Sequence, residues 1–196
     1  MKIREYDWTS GGYDYLQAFG MSPRNAAIAG YIIAAGKQPC TILDVACGLC
    51  PIVPFLPENS ISRYVAFDNS QYVQEHLLYK ELAHFEFYRL SFEEFFSDSF
   101  NRHGSFDFVL YLGMYGGYDV YSARLGKLLA YAKPSGYVIL EAIDEHIADI
   151  LSVMQQEYPG YKEIASCSIQ IHNGTMSHLT RERFRSIHLY HVVQPS

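Results

Sequence analysis

Charge is scarce in this chain of 196 residues. Asp, Glu, Lys and Arg make up 18% of it, and 15 basic against 21 acidic residues leave a formal net charge of −6. Binders of phosphate backbones need clustered Lys and Arg, so nucleic acid is not an expected partner. Long apolar runs are missing as well. Nothing approaches the ~18 residues of a membrane-spanning helix, and Met1-Lys2-Ile3-Arg4-Glu5-Tyr6-Asp7 has no apolar signal core. A cytoplasmic protein without a membrane partner is expected. Cysteine is sparse too: Cys40, Cys47 and Cys50 cluster and Cys167 stands apart, which makes no disulfide framework. Repeats and low-complexity tracts are absent.

What is present can build a core. Hydrophobic residues reach 49%, and aromatics 15% with 17 Tyr and 12 Phe. Disorder and a disulfide-stapled scaffold are thereby excluded. The length fits one domain over 1–196, with a core over 41–193 and a helical segment, expected to act as a lid, over 1–36.

Short β-rich runs alternate with helical patterns. Ser22-Pro23 reads as N-cap and first helical residue, Arg24 to Ala35 as helix, and Gly36 as the residue after it. Buried strands are expected at Thr41–Val45, Tyr64–Phe67, Phe85–Tyr88, Phe106–Leu112 and Tyr137–Leu140. Asn69 or Ser70 caps a helix to about Ala83. Val120–Ala132 and Glu145–Tyr158 carry apolar residues at helical spacing. Pro51, Pro54 and Pro57 puncture the segment after the first strand. Proline inside a helix costs ~3 kcal/mol, so one short broken turn is expected there. Cys167–His172 and Phe184–Val193 read as closing strands about an Asn173-Gly174 turn. The pattern predicts an α/β, doubly wound and mostly parallel sheet with an antiparallel C-terminal edge.

Ligands of such sheets bind beyond the carboxyl ends of the strands. Asp44-Val45-Ala46-Cys47-Gly48-Leu49-Cys50 follows the first strand with small residues that let backbone approach a ligand. Asp68 ends the second strand about twenty residues beyond Gly48, a spacing at which an acid can accept both hydroxyls of a ribose. Together these suit an adenosine-type cofactor.

At this point the chain resembles the class I S-adenosylmethionine-dependent methyltransferases over roughly Thr41 to Glu141. Thr41–Gly48 is similar to the family's first motif and Val65–Ser70 to its second. Ser105–Leu110 is similar to its fourth strand, and Leu128–Tyr137 to its helix, turn and fifth strand. The resemblance implies a Rossmann-like fold with seven strands, and S-adenosylmethionine as cofactor with S-adenosylhomocysteine as product. It places Asp44, Ala46, Cys47 and Gly48 around the methionine end and Asp68 on the ribose. Asn69 would lie beside adenine, with Ser91 and Phe92 at its edge and face. Leu112 and Gly113 would lie below the sulfonium, and Tyr13 or Tyr15 over the carboxylate end. Ala46 and Cys50 stand where the family has glycines, and Ser91 where it commonly has an acid.

The segment after the fourth strand is the expected substrate wall. Tyr115 and Tyr118 can stack on an acceptor, with Met114 beside them. Asp119 can orient an amine or take a proton, or else cap the next helix. Glu141 follows the fifth strand and either faces substrate or satisfies backbone groups. His146 is a candidate base or a surface residue, and Trp8 a candidate substrate contact. Arg181, Arg183 and Arg185 can meet an anion or guard an edge strand by charge. Neighbouring residues on a strand alternate faces, so His188 and His191 point apart and no metal site is expected.

The leading expectation is methyl transfer to a small-molecule acceptor by a monomer or homodimer. Two alternatives remain open at this level: a ribosomal RNA methyltransferase, and a cofactor-binding partner subunit that transfers nothing. Cys47-Gly48-Leu49-Cys50-Pro51 resembles a loop of the aminoglycoside-resistance 16S ribosomal RNA methyltransferases. It is also a formal Cys-x-x-Cys, as in thiol oxidoreductases.

Overall fold

A computed structural model describes residues 21–97, 105–113, 117–171 and 183–193. Among them lies a seven-stranded sheet of order β3-β2-β1-β4-β5-β7-β6. The strands are β1 (Cys40–Val45), β2 (Ile61–Asp68), β3 (Phe85–Arg89), β4 (Phe106–Leu112), β5 (Ala132–Ile143), β6 (Tyr161–Ile171) and β7 (Arg183–Val192). Neighbours pair in parallel except at β7, which runs antiparallel to both β5 and β6. The expected antiparallel pairing is present, but β7 lies one place in from the edge and β6 is outermost. The strand order reverses at β1, which pairs with β2 on one side and β4 on the other.

Alternation along the strands divides the core in two. Ile42, Tyr64, Ala66, Phe108, Leu110, Ile139, Ile187 and Leu189 face helix α1 (Ser22–Ala34), whose Ile28, Ala29 and Ile32 complete that layer. Leu43, Val45, Val65, Phe67, Val109, Tyr111, Val138 and Leu140 face the other way. There they meet α4 (Tyr118–Leu129) through Tyr121, Leu125 and Leu128, and α5 (Asp144–Glu157) through Ile150, Val153 and Met154. So α1 is a core helix, and the part of the expected lid that the structure describes packs under the sheet. Met21 rather than Ser22 is its N-cap, with no side-chain hydrogen bond. Gly36 follows at φ +70°, as a left-handed helix stop requires.

The crossovers differ in quality. After β1 the three prolines leave only 3₁₀ turns at Val53–Phe55 and Glu58–Ser60, as expected. Val53 and Leu56 still reach the core. After β2 the Ser70 hydroxyl caps α2 (Gln71–His76), which stops well short of Ala83. Val73 and Leu77 form the buried stripe of that segment, and the next turn offers Lys80 and Glu81, so nothing apolar extends it. Short α3 (Phe92–Phe95) precedes β4. At the amino end of the sheet Asp107 accepts from Thr41 N (2.9 Å), Thr41 Oγ1 (2.8 Å) and Lys133 Nζ (3.0 Å), fixing β1, β4 and β5 together. No helix among the described residues is long and apolar enough to cross a membrane.

Candidate functional site

Four buried charged side chains of the sheet lie toward its carboxyl edge. Asp44 and Asp68 end β1 and β2, Gly113 follows β4, and Glu141 lies near the end of β5. The antiparallel β7 brings its first residues to the same edge, with Arg185 opposite Ile143. Asp44, Asp68, Glu141 and Arg185 continue the alternation of Ile42, Ala66, Ile139 and Ile187. All four therefore fall on the face that α1 covers.

The loop after β1 has an unusual backbone. Ala46, Gly48 and Cys50 take φ of +52°, +53° and +51°. Two non-glycine residues are thus held in the left-handed region, which costs an L-residue roughly 1–2 kcal/mol. The surroundings hold them there. Cys47 N donates to Phe67 O (3.0 Å), Cys50 N to Cys47 O (3.0 Å), and Gly48 N to Asp68 Oδ2 (3.0 Å). Ser70 N donates to the other oxygen of Asp68 at 2.9 Å.

Asp44 is 1% exposed, and burial pushes its carboxyl up to about 7. The Tyr64 hydroxyl, donating to Oδ2 at 2.6 Å, and the Arg24 charge pull it down, while Asp68 adds to the rise. Asp44 Oδ1 is buried without a hydrogen-bond partner. Cys47 and Cys50 are buried, and desolvation raises both thiols above their ordinary value. Neither is an activated thiolate, which removes the physical basis for the thiol-exchange reading.

Glu141, 0% exposed, is a clamp rather than a free substrate ligand. Its Oε2 accepts from Arg24 Nη2 (2.7 Å) and Gly113 N (2.6 Å), and its Oε1 from Arg185 Nη1 (2.7 Å). The two guanidiniums outweigh desolvation and hold its carboxyl down at about 2. Arg24 Nη1 donates to Asn25 Oδ1 at 2.9 Å, while Arg24 Nε is buried and unpartnered. An unmet buried donor costs about 1–3 kcal/mol.

Other expected positions are less gathered. Ala46 and Asn69 are exposed beside the loop, and Leu112 and Gly113 are half-buried. The Ser91 hydroxyl accepts from Glu94 N, and Glu94 returns a bond to Ser91 N at 2.8 Å. This capping box starts α3 and was legible as Ser-x-x-Glu. It turns Phe92 onto the opposite layer, near Phe96 (4.4 Å) and under the Arg124 guanidinium (4.9 Å). Tyr118 bonds Glu157 (3.0 Å) and Gln156 (3.2 Å), so its hydroxyl is held against α5. Gly117, not Asp119, is the N-cap of α4, and Asp119 is exposed in its first turn. His146 is half-exposed in the first turn of α5. Arg185 is 6% exposed and paired, not a solvated edge charge, because β6 covers β7. Trp8, Tyr13, Tyr15, Met114, Tyr115, the Asn173-Gly174 turn and Arg181 lie outside the described residues.

The sequence reading missed Arg24, Asn25 and Tyr64. Arg24 had a signal: it sits four residues before Ile28 and eight before Ile32, a charge on the apolar stripe of α1.

No family model matches the chain, and no curated protein matches it in sequence. Solved structures do match in fold. The N-methyltransferase NodS from Bradyrhizobium japonicum, in complex with S-adenosylhomocysteine, has a TM-score of 0.70 at 8% identity, covering 96% of this chain and 95% of that one. The 1,6-didemethyltoxoflavin-N1-methyltransferase of Burkholderia thailandensis, with 1,6-didemethyltoxoflavin and S-adenosylhomocysteine bound, has a TM-score of 0.68 at 13% identity, covering 94% and 83%. SMU.776, complexed with S-adenosylhomocysteine, has a TM-score of 0.68 at 9% identity over 88% of this chain. The chain spans about half the length of that protein, covering 50% of it. The chain has the Rossmann-like fold of the class I S-adenosylmethionine-dependent methyltransferases.

Proposed function

We propose that this chain transfers the methyl group of S-adenosylmethionine to a small-molecule acceptor. The observation that carries the reading is the loop after β1. It is left-handed at 46, 48 and 50, clasped by Asp68 through Gly48 N, and placed where the strand order reverses. The donor set fits the cofactor. Asp44 Oδ1 is an orphaned buried acceptor suited to the methionine ammonium, and the Asp68 carboxylate ends β2 at the place where a ribose would lie. Ala46, Cys47 and Gly48 offer backbone close to the methionine end, and Asn69 stands beside the base position.

The cofactor would supply a sulfonium methyl, to whose carbon the acceptor would bond in line as the carbon–sulfur bond breaks and S-adenosylhomocysteine leaves. The chain's part is to hold the acceptor on that line and keep water out. Leu112 and Gly113 border the reacting region. Gly113 sits at φ +71° and its N–H is tied to Glu141, so the backbone turn after β4 is fixed. A general base is needed only for an acceptor that arrives protonated. Asp119 and His146, in the first turns of α4 and α5, are the candidates for it. Calorimetric titration with S-adenosylhomocysteine tests the reading. The chain should bind it, and Asp68→Asn should weaken binding at least tenfold with the fold retained by circular dichroism. Unchanged affinity in the variant would remove the cofactor assignment.

A further inference from the structure

We propose that Tyr64 is a positioning residue of the cofactor site, whose hydroxyl fixes one oxygen of Asp44 and leaves the other, as part of a carboxylate, to receive the ammonium group of S-adenosylmethionine. The inference rests on the methyltransferase reading above. It adds a residue that acts on the cofactor only through Asp44.

Three observations lead there. The first is register. Tyr64 on β2 lies opposite Ile42 of β1, two places before Ala66, which lies opposite Asp44. All four share the face that α1 covers. Ala66 is small, so the Tyr64 phenol can pass over it along the sheet, and its hydroxyl donates to Asp44 Oδ2 at 2.6 Å. The second is packing. The Tyr64 ring stacks on Phe85, with centroids 5.1 Å apart and an interplanar angle of 13°. A phenylalanine would fill that place equally well, so packing does not call for the hydroxyl. What the oxygen adds is one bond, and that bond goes to an acid. The third is burial. Tyr64 is 0% exposed and Asp44 1%, so neither trades this bond for one to bulk water. Asp44 Oδ1 has no partner among the described residues.

The kind of donor matters. A hydrogen bond to the charged form of an acid favours that form. A neutral donor does so without cancelling the negative charge, which a cationic ligand group can then still meet. Burial opposes the ionisation of Asp44, and Asp68 from the end of β2 adds to that opposition. The Tyr64 hydroxyl and the Arg24 charge from α1 act the other way. The loop sets the Cys47 and Cys50 thiols near Asp44, and burial raises both above their ordinary value, so they stay neutral near pH 7. Arg24 also binds Glu141. Tyr64 is thus the group through which Asp44 can be adjusted without disturbing the Glu141 clamp.

The test is Tyr64→Phe in the full chain, which removes one oxygen and keeps the stacked ring. The Asp44 carboxyl is followed by carbon NMR in the free chain. S-adenosylhomocysteine is titrated calorimetrically between pH 6 and 9. In the variant the Asp44 midpoint should rise by about one unit or more. The increase of affinity with pH should move with it. The parent-to-variant affinity ratio should be twofold or more at pH 7.5 and fall toward pH 9, where both carboxyls ionise. Titration of the ligand itself cancels in that ratio. A merely structural loss would weaken binding by one factor at every pH. In an Asp44→Asn background, adding Tyr64→Phe should leave the profile unchanged. A ring-fluorinated tyrosine at 64 is a stronger donor of nearly the same shape. It should move the Asp44 midpoint down, and it decides the matter if Tyr64→Phe does not fold.

An Asp44 midpoint that stays in place, an affinity loss independent of pH, or an effect that persists in the Asp44→Asn background overturns the proposal. If the parent chain binds no S-adenosylhomocysteine, the methyltransferase reading falls and takes this one with it. Binding by the parent chain with the same pH profile in Tyr64→Phe removes this inference alone.

Discussion

The two halves of the sheet's carboxyl edge are built on opposite principles. On the β1–β2–β3 side the strands are joined by broken connections: two 3₁₀ turns after β1, and a six-residue helix after β2. The polar groups there are acids, Asp44 and Asp68, and one acid oxygen is unmet. On the β4–β5–β7 side, full helices α4 and α5 make the crossovers, and two arginines converge on one acid. The first side combines that unmet oxygen with a strained backbone at Ala46 and Cys50. The second is rigid and charge-paired.

The sharpest way to break this contrast is to remove the acid of the second side. Glu141→Gln keeps the shape but leaves two buried guanidiniums beside each other. Losing one partner of a buried ion pair costs about 3–5 kcal/mol, and urea unfolding should show a loss of that order. The counterpart in the β1–β2–β3 half, toward the amino ends of its strands, is the Arg63–Glu86 pair, bonded at 2.6 Å but with side chains 31% and 36% exposed. Water screens such a pair, so Glu86→Gln should cost under about 1 kcal/mol. Equal losses would erase the distinction.

The same contrast explains what could be read in advance. Strands β1, β2, β4 and β5 are continuous apolar runs because both faces are covered, and such runs survive any uncertainty in topology. The prolines foretold the broken crossover because their effect is local. Asp44 and Asp68 were visible because each is an acid near the carboxyl end of an apolar run. The second side depends on contacts that no local pattern encodes. Arg185 reads as an edge charge until β7 is known to insert between β5 and β6. Glu141 gains its role only when α1, 117 residues earlier in the chain, delivers Arg24. The start of β6 was missed for a related reason. Lys162, Glu163 and Ile164 are exposed, so the edge strand loses the alternation that marks a half-buried one.

A smaller effect should appear in the pH dependence of the first side. Asp44 ionises at about 7, raised chiefly by burial. Because the folded value is raised, the native state favours the neutral acid. That contribution to stability is full below the ordinary value of 3.8 and is lost as pH rises through about 7. A cationic ammonium at Oδ1 prefers the ionised form. Affinity for S-adenosylhomocysteine should therefore rise by roughly tenfold from pH 6 to 8. Asp44→Asn should bind more weakly at pH 8 and show a flat profile. An unchanged slope in the variant would assign the titration elsewhere and leave the unmet oxygen without a ligand role.

The smallest effect concerns the strain itself. Ala46 is exposed, so its methyl group packs on little, and at φ +52° it pays for a conformation that glycine adopts freely. Ala46→Gly recovers that strain and loses part of it again to the greater freedom of the unfolded chain. The net gain should be about 0.5–1 kcal/mol, read as a higher urea midpoint at unchanged slope. Cys50 has nearly the same φ of +51° but is 0% exposed, so Cys50→Gly also deletes a side chain from the core. There the packing loss opposes the relief, and the variant should be less stable than Ala46→Gly. If the two substitutions behave alike, backbone strain alone shapes this loop. If only Ala46→Gly stabilises, the loop is held in its left-handed form by the buried thiol at one end and by Asp68 on Gly48 N at its centre.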